Sequence, residues 1–288
     1  MRNQPTIMGI KLGINAYGKN AINLSKIIRH ADHHEFRQIS VSVALEGDFE
    51  TAHTHGDNSQ ILPTDTQKNT VYALAKEHFT STIEAFGIQL ANFFFTRNPQ
   101  ISKVKIELVE HAWQRMFFDG EAHTHAFTGG STEKRRALIT QTAQGAQVSA
   151  GLQDLLLLKT TDSAFEKYIK DEYTVLKETN DRILATKCEA TWSYTRTDLD
   201  FEATYQKIRN SLLRTFAAHK SQSVQQTLYA IGEQILLDNE VVKEISLIMP
   251  NKHHIPFNLE QFRMENNNEI FIATDEPFGY ITGTVVRE

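Results

Sequence analysis

Residues 64 to 72 read Thr-Asp-Thr-Gln-Lys-Asn-Thr-Val-Tyr. Thr64 and Gln67 have the spacing of a capping box, in which the N-cap hydroxyl and the side chain three residues on satisfy each other's backbone donors. The remaining first-turn N–H groups and the positive end of the helix dipole can then receive a flat or anionic ligand. Ser, Thr and Asp lead most helices, so the segment by itself predicts a helix start and no more. Other groups capable of chemistry accompany it: Lys19 in Tyr17-Gly18-Lys19, the run Ser223-Val224-Gln225-Gln226-Thr227-Leu228-Tyr229, and Pro250-Asn251-Lys252-His253-His254. By default the lysine is a solvated surface charge and His253 a polar turn residue after a strand. His123-Thr124-His125 puts two imidazoles on one face of a strand, a spacing that suits zinc if His253, His254 or the His30, His33, His34 cluster adds a third ligand.

Such groups need a scaffold, and a chain of 288 residues with 40% hydrophobic and 23% charged residues is long enough for one large or two medium globular domains. An alternating strand runs from Gln38 to Leu45, and Val71, Leu74, Ala75 and Phe79 form one helical face. A second capping box, Ser81-Thr82-Ile83-Glu84, opens a helix that ends near Arg97, before Pro99. Val104, Ile106 and Leu108 then alternate with charged residues as a strand, and another follows around Arg136 to Ala143. The second half repeats this order. Strands are expected near Asp154 to Lys159 and Cys188 to Tyr194, helices at Asp200 to His219 and Ser223 to Leu237, and strands at Lys243 to Met249, Glu269 to Ala273 and Tyr280 to Val286. The pattern predicts an α+β fold of two domains, 11–143 and 144–288, each an antiparallel four-stranded sheet with two helices on one face. The opposite face is either wet or closed into a barrel by several subunits.

Bulk properties narrow the partners. The 30 basic and 35 acidic residues give a formal net charge of -5, with no long basic run. Lys134-Arg135-Arg136 reads as a solvated strand or turn, and nucleic acid is disfavoured. The single cysteine, Cys188, excludes an intrachain disulfide framework and cysteine-rich metal sites, and fits a reducing compartment. Met1 to Gly13 has no long apolar core of a signal peptide, and the apolar runs Leu155 to Leu158 and Phe93 to Phe95 are too short to span a bilayer. Val285-Val286-Arg287-Glu288 is not a Ser-Lys-Leu type address. The expectation is a cytoplasmic protein with no membrane partner.

Taken together, Tyr17-Gly18-Lys19, Thr64 to Lys76, Asp171 to Arg182, Ser223 to Gly232 and Pro250 to His254 resemble the urate oxidase (uricase) family, in order and with compatible spacing from about Tyr17 to Glu288. The resemblance implies tandem tunnelling-fold (T-fold) domains, matching the duplicated pattern, in a multi-subunit barrel: a homotetramer with active sites at subunit interfaces. It implies oxidation of urate by molecular oxygen and water to 5-hydroxyisourate and hydrogen peroxide, a step of purine catabolism, with no cofactor and no metal.

Residue by residue, the resemblance makes Lys19, Thr64 and His253 the catalytic relay, with Lys19 bonded to the Thr64 hydroxyl of a neighbouring subunit. A lysine held neutral by desolvation can accept a proton, and a histidine can pass protons near neutral pH. Arg182 would present its fork to the pyrimidine edge of urate, with Gln225 completing the clamp and the backbone N–H of Val224 touching the ligand. Phe165 would stack on the purine, Asn251 would hold oxygen or water above the ring, and Asp65, beside Thr64, would offer mainly its backbone N–H. Urate is electron rich, and its dianion can give electrons to oxygen directly, so the protein need only position, deprotonate and exclude solvent.

Two departures bear on loop geometry: Pro63 stands where valine or alanine is common in the family, and Ala21-Ile22-Asn23 where many members carry Val-Arg. Two other readings compete. One is a metal-dependent T-fold purine or pterin enzyme built on His123 and His125; the other is a non-catalytic purine-binding homologue, which would have no need of a proton relay.

Overall fold

The computed structural model describes residues 9–288 and opens with two paired strands, β1 (Tyr17–Arg29) and β2 (His34–Gly47). Ile39, Val41, Val43 and Leu45 occupy every second position of β2 and are fully buried, so one face of the hairpin is committed to a core. A short helix, α1 (Glu50–Thr54), leads to α2 (Thr64–His78) and α3 (Ile83–Arg97). These lay Val71, Ala75, Phe86, Leu90 and Phe94 onto that core. Strands β3 (Ile101–Phe118) and β4 (Glu121–Thr142) complete the half, with Val104, Ile106 and Leu108 buried as their alternation predicts. The second half follows as β5 (Gly145–Lys159), β6 (Leu184–Tyr194), α4 (Phe201–Ala218), α5 (Val224–Asp238), β7 (Val242–Ile248), β8 (Asn251–Pro256), β9 (Phe271–Gly279) and β10 (Thr282–Val286). Tyr205, Ile208, Leu212 and Phe216 on α4, and Leu228, Ile231 and Ile235 on α5, bury the expected stripes.

The eight main strands run in the order β1-β2-β3-β4-β5-β6-β7-β10, every neighbour antiparallel. The two four-stranded halves are therefore one sheet, because β4 and β5 pair from Lys134 opposite Gln153 to Thr142 opposite Gly145. On the face away from the helices, Leu138, Leu156 and Leu158 remain exposed beside buried neighbours. Among the described residues no helix is long and apolar enough to cross a membrane. Cys188 is buried, and burial pushes its thiol up to about 12, which makes it a packing residue rather than a nucleophile.

Local expectations needed four corrections. Thr64 is the first residue of α2 and not its cap; Pro63 is the N-cap and makes no side-chain cap bond. Proline has no N–H for Gln67 to reach back to, so Gln67 is buried and its Nε2 donates to the Leu62 carbonyl at 3.1 Å. The cap of α3 is Thr82 and not Ser81: the Thr82 hydroxyl accepts from the Ala85 N–H, and Glu84 does not turn back. Instead Glu84 is fully buried against Arg135, whose Nε and Nη2 each donate to it at 3.0 Å. Arg135 also binds Glu202 on α4, so it is an internal tie between the halves and not a solvated charge. Burial opposes its charge, but the two carboxylates outweigh that and raise its pKa. Finally, His253 lies in strand β8, which pairs with β6 and β9, and not in a loop. The cap shift is measurable. Thr82→Ala costs about 1 kcal/mol in urea unfolding at fixed protein concentration, whereas Ser81→Ala stays within about 0.5 kcal/mol; equal losses would return the cap to Ser81.

Candidate active site

The residues singled out in sequence fall into two groups. In the first half, Tyr17 packs edge-on against Phe49 at 4.8 Å, and its hydroxyl accepts from the Leu62 N–H at 2.8 Å. That bond pins the segment entering α2 to the start of β1. Gly18 is required between Tyr17 and Lys19, because a Cβ there would stand 1.8 Å from the Val43 carbonyl oxygen. Directly after Lys19 the pairing of β1 with β2 shifts register and Ala21 takes a positive φ, 54°. Such a bulge re-aims the side chains beside it. Lys19 is half-buried, and its charge helps hold the Asp65 carboxyl below its ordinary range, after the larger effect of Lys68. Lys19 thus acts electrostatically on Asp65 of its own chain, whereas the resemblance implies a bond from Lys19 to Thr64 of a neighbouring subunit.

The Asp65 carboxylate is taken by Lys68 at 2.5 Å and Asn69 at 2.9 Å. With Pro63 as cap, the Thr64 hydroxyl is not used in capping, and the Thr64, Asp65 and Thr66 N–H groups precede the first in-helix donor, Gln67. The start of α2 therefore keeps the donors and positive dipole end that an anion needs.

The second group surrounds the segment between β5 and β6. Phe165 and Thr179 exchange two backbone hydrogen bonds, 2.8 and 3.2 Å, and the Phe165 ring stacks on Tyr168 at 4.9 Å. The Arg182 guanidinium carbon sits 5.2 Å from the Phe165 ring centroid. Arg182 Nε is buried with no hydrogen-bond partner, and desolvation lowers the guanidinium's pKa. A buried, unpaired donor of a charged group is costly, and a carboxylate-like or amide-like ligand edge would relieve it. Ser221 joins this platform to α5: its carbonyl accepts from the Ala164 N–H at 2.7 Å, its N–H donates to Asp162, and its hydroxyl accepts from buried Thr227 at 2.8 Å and donates to the Ser223 carbonyl at 3.0 Å. Ser223 then caps α5 through the Gln226 N–H, as its spacing predicts, while Gln226 Oε1 accepts from Gln222 rather than from the cap itself. Val224 is buried and Gln225 exposed in that first turn. Asn251 pairs with Thr186, whose buried hydroxyl is also without a partner, and half-buried His253 pairs with Thr274. Tyr168 and Ser221 were not singled out from sequence, and Thr227 only as part of its run; nearness to Phe165 and Val224 in the chain could have pointed to them.

Register separates the two groups. Lys19 lies opposite Val43, then in turn Ile106, Ile139 and Val148 of β5. Asn251 lies opposite Thr186, and Thr186 opposite Leu157 of β5. Val148 and Leu157 are nine residues apart, roughly 30 Å along a strand. One chain cannot close both groups around one small molecule.

His123 and His125 contact each other at 4.7 Å between centroids. Among the described residues, however, the group of three with ligand atoms within 4.8 Å of one another is His30, His33 and Glu35.

Known proteins resemble this chain along nearly its whole length. The family model described as Uricase matches residues 15–140 and 148–282. A uricase from Arthrobacter globiformis is 39% identical over 279 residues, spanning 97% of this chain and 91% of that protein. One from Aspergillus flavus is 36% identical, over 94% of this chain and 95% of that protein. The crystal structure of the Arthrobacter globiformis uricase superposes with a TM-score of 0.93 over 98% of this chain and 96% of that one.

Proposed function

Because the chain belongs to the uricase family, we propose that its two groups of site residues meet between subunits, Lys19, Thr64 and Asp65 of one chain facing Phe165, Arg182, Val224, Gln225, Asn251 and His253 of another. The chain is a urate oxidase, an oxidoreductase that acts on urate with molecular oxygen. What supports the shared site is the offset of about 30 Å between the groups within one chain. A second copy paired edge to edge with this sheet, β1 and β10 being the ends of its strand order, would close the barrel and turn the exposed leucines inward, and a homotetramer is the assembly we infer. The repeat units are 11–143 and 144–288, divided at the turn between β4 and β5, and the lone buried cysteine supports a cytoplasmic setting.

In this reading Phe165 stacks on the flat purine, while Arg182 and Gln225 clamp one edge and fix its orientation. The Val224 N–H and the first-turn N–H groups of α2 from the other chain hold the remaining edges. Lys19 takes a substrate proton through the Thr64 hydroxyl, and the resulting dianion transfers two electrons to oxygen held near Asn251. Water adds to the oxidised ring with His253 moving its proton. Urate, oxygen and water thus become 5-hydroxyisourate and hydrogen peroxide, and the residues supply position and proton transfer without a cofactor.

Loss of urate absorbance in aerated buffer, with peroxide appearing mole for mole, tests the reaction; urate loss without peroxide would refute direct transfer to oxygen. Arg182→Ala weakens binding of urate or 8-azaxanthine by about 1.5 to 3 kcal/mol, the scale of a hydrogen bond to a charged group. Calorimetric titration measures it, and unchanged affinity would remove Arg182 from the site.

A further inference from the structure

The turn between β1 and β2 gathers ligands that urate oxidation does not use. The His30 N–H donates to the His33 carbonyl at 2.8 Å, and Arg29 and Ile28 pair with His34 and Glu35 across the hairpin. The sheet therefore sets the backbone that carries His30, His33 and Glu35. The two imidazoles stack with centroids 4.5 Å apart and 23° between planes. His30 Nε2 lies 2.6 Å from Glu35 Oε1, and one ligand atom from each of the three side chains falls within 4.8 Å of the others. His33 is also held from behind: its Nδ1 is 2.8 Å from Asp32 Oδ1. With Nδ1 donating there, Nε2 carries the lone pair. A carboxylate on the far nitrogen is the arrangement that orients metal-ligating histidines and raises their basicity.

We propose that His30, His33 and Glu35 bind one late first-row divalent cation, such as zinc, with Asp32 orienting His33 and water in the fourth position. Two imidazoles and a carboxylate favour zinc, nickel or copper over magnesium and calcium. In a tetrahedral zinc site the ligand atoms stand about 3.3 Å apart. The present spacings, from 2.6 Å to within 4.8 Å, bracket that value, so side-chain rotation suffices to close the site. The proton shared by His30 and Glu35 is what the cation displaces. His34 points to the other face of β2, where it meets Arg29 at 3.3 Å and His125, and is not a ligand. Lys19 and His30 are eleven residues apart in nearly extended chain, roughly 36 Å, so the turn lies far from the Lys19 group. The cation's effect is to clamp the hairpin, since an ion that binds only the folded turn stabilises it by mass action.

The test uses the assembled protein without a histidine tag, stripped by chelator and titrated with zinc chloride against a competing chromogenic chelator. One equivalent per chain is expected. His30→Ala and His33→Ala each weaken it more than tenfold, and Asp32→Asn weakens it about tenfold to a hundredfold, the usual cost of losing an orienting carboxylate. The His123→Ala/His125→Ala double variant binds as the parent does. Cobalt in place of zinc gives the parent a tetrahedral visible spectrum that Glu35→Gln weakens. Urate turnover is the same with and without zinc. Equal zinc affinity in the parent and in a His30→Ala/His33→Ala variant, or no bound equivalent in the folded parent at a hundredfold excess of zinc, would overturn the proposal.

Discussion

Lys19→Met and Thr64→Ala each lower urate turnover by about a hundredfold to ten-thousandfold, the range for loss of a positioned proton-transfer group. Both residues are held by structure that a simple surface pair would not need. Gly18 admits the backbone against Val43, the bulge at Ala21 re-aims the strand, and Tyr17 fixes the entry to α2 through Leu62. The Thr64 hydroxyl is not spent on capping. A proton that travels from substrate through the threonine hydroxyl to the lysine is stopped by either loss, so the double variant falls little below the worse single one. Initial rates at saturating urate measure this, with light scattering to check that assembly is unchanged. Full additivity in the logarithm of the rate would separate the two residues, and a loss of less than tenfold would remove either from the relay.

Co-expression of a Lys19→Met chain with an Arg182→Ala chain restores activity that neither parent has. If each site takes its first group from one chain and its second from another, random mixing makes about a quarter of the sites fully native. The matching control decides between two arrangements. Lys19 and the Thr64–Asp65 segment lie together within one chain, so Lys19→Met mixed with Thr64→Ala leaves every site with one lesion and restores nothing. Recovery in that control would mean that Lys19 and Thr64 of one site come from different chains. Verified Lys19→Met/Arg182→Ala hybrids with no activity would place each whole site within a single chain, against the register of the sheet.

Periodicity was sufficient where a residue's environment follows from its immediate neighbours. Alternation placed Ile39 to Leu45 and Val104 to Leu108, and steps of three and four placed the stripes of α4 and α5, because burial of one face repeats with the element's own period. Caps were legible only to within a residue. Ser81-Thr82 and Pro63-Thr64 each offer two starting points, and the choice fell to Glu84 pairing with Arg135 and to Gln67 turning to Leu62. Arg135 itself looked like one of three solvated charges, since its partners lie 51 and 67 residues away. Strand β8 was missed because Asn251 to Pro256 has no alternation; β6 and β9 on its two sides make it a strand.

The sequence alone determined the duplicated order of strands and helices, the family to which the chain belongs, and the short motifs that carry the candidate residues, because each is written in local spacing and residue type. Tertiary structure decided how those motifs are grouped. It brought Lys19 within electrostatic reach of Asp65, tied Phe165 to the start of α5 through Ser221, left Arg182 Nε buried and unpaired, and held the two groups apart along a sheet made continuous by β4 and β5. These relations depend on strand register and on hydrogen bonds between distant segments, and register is settled only when all the strands bury their apolar faces on the same helices.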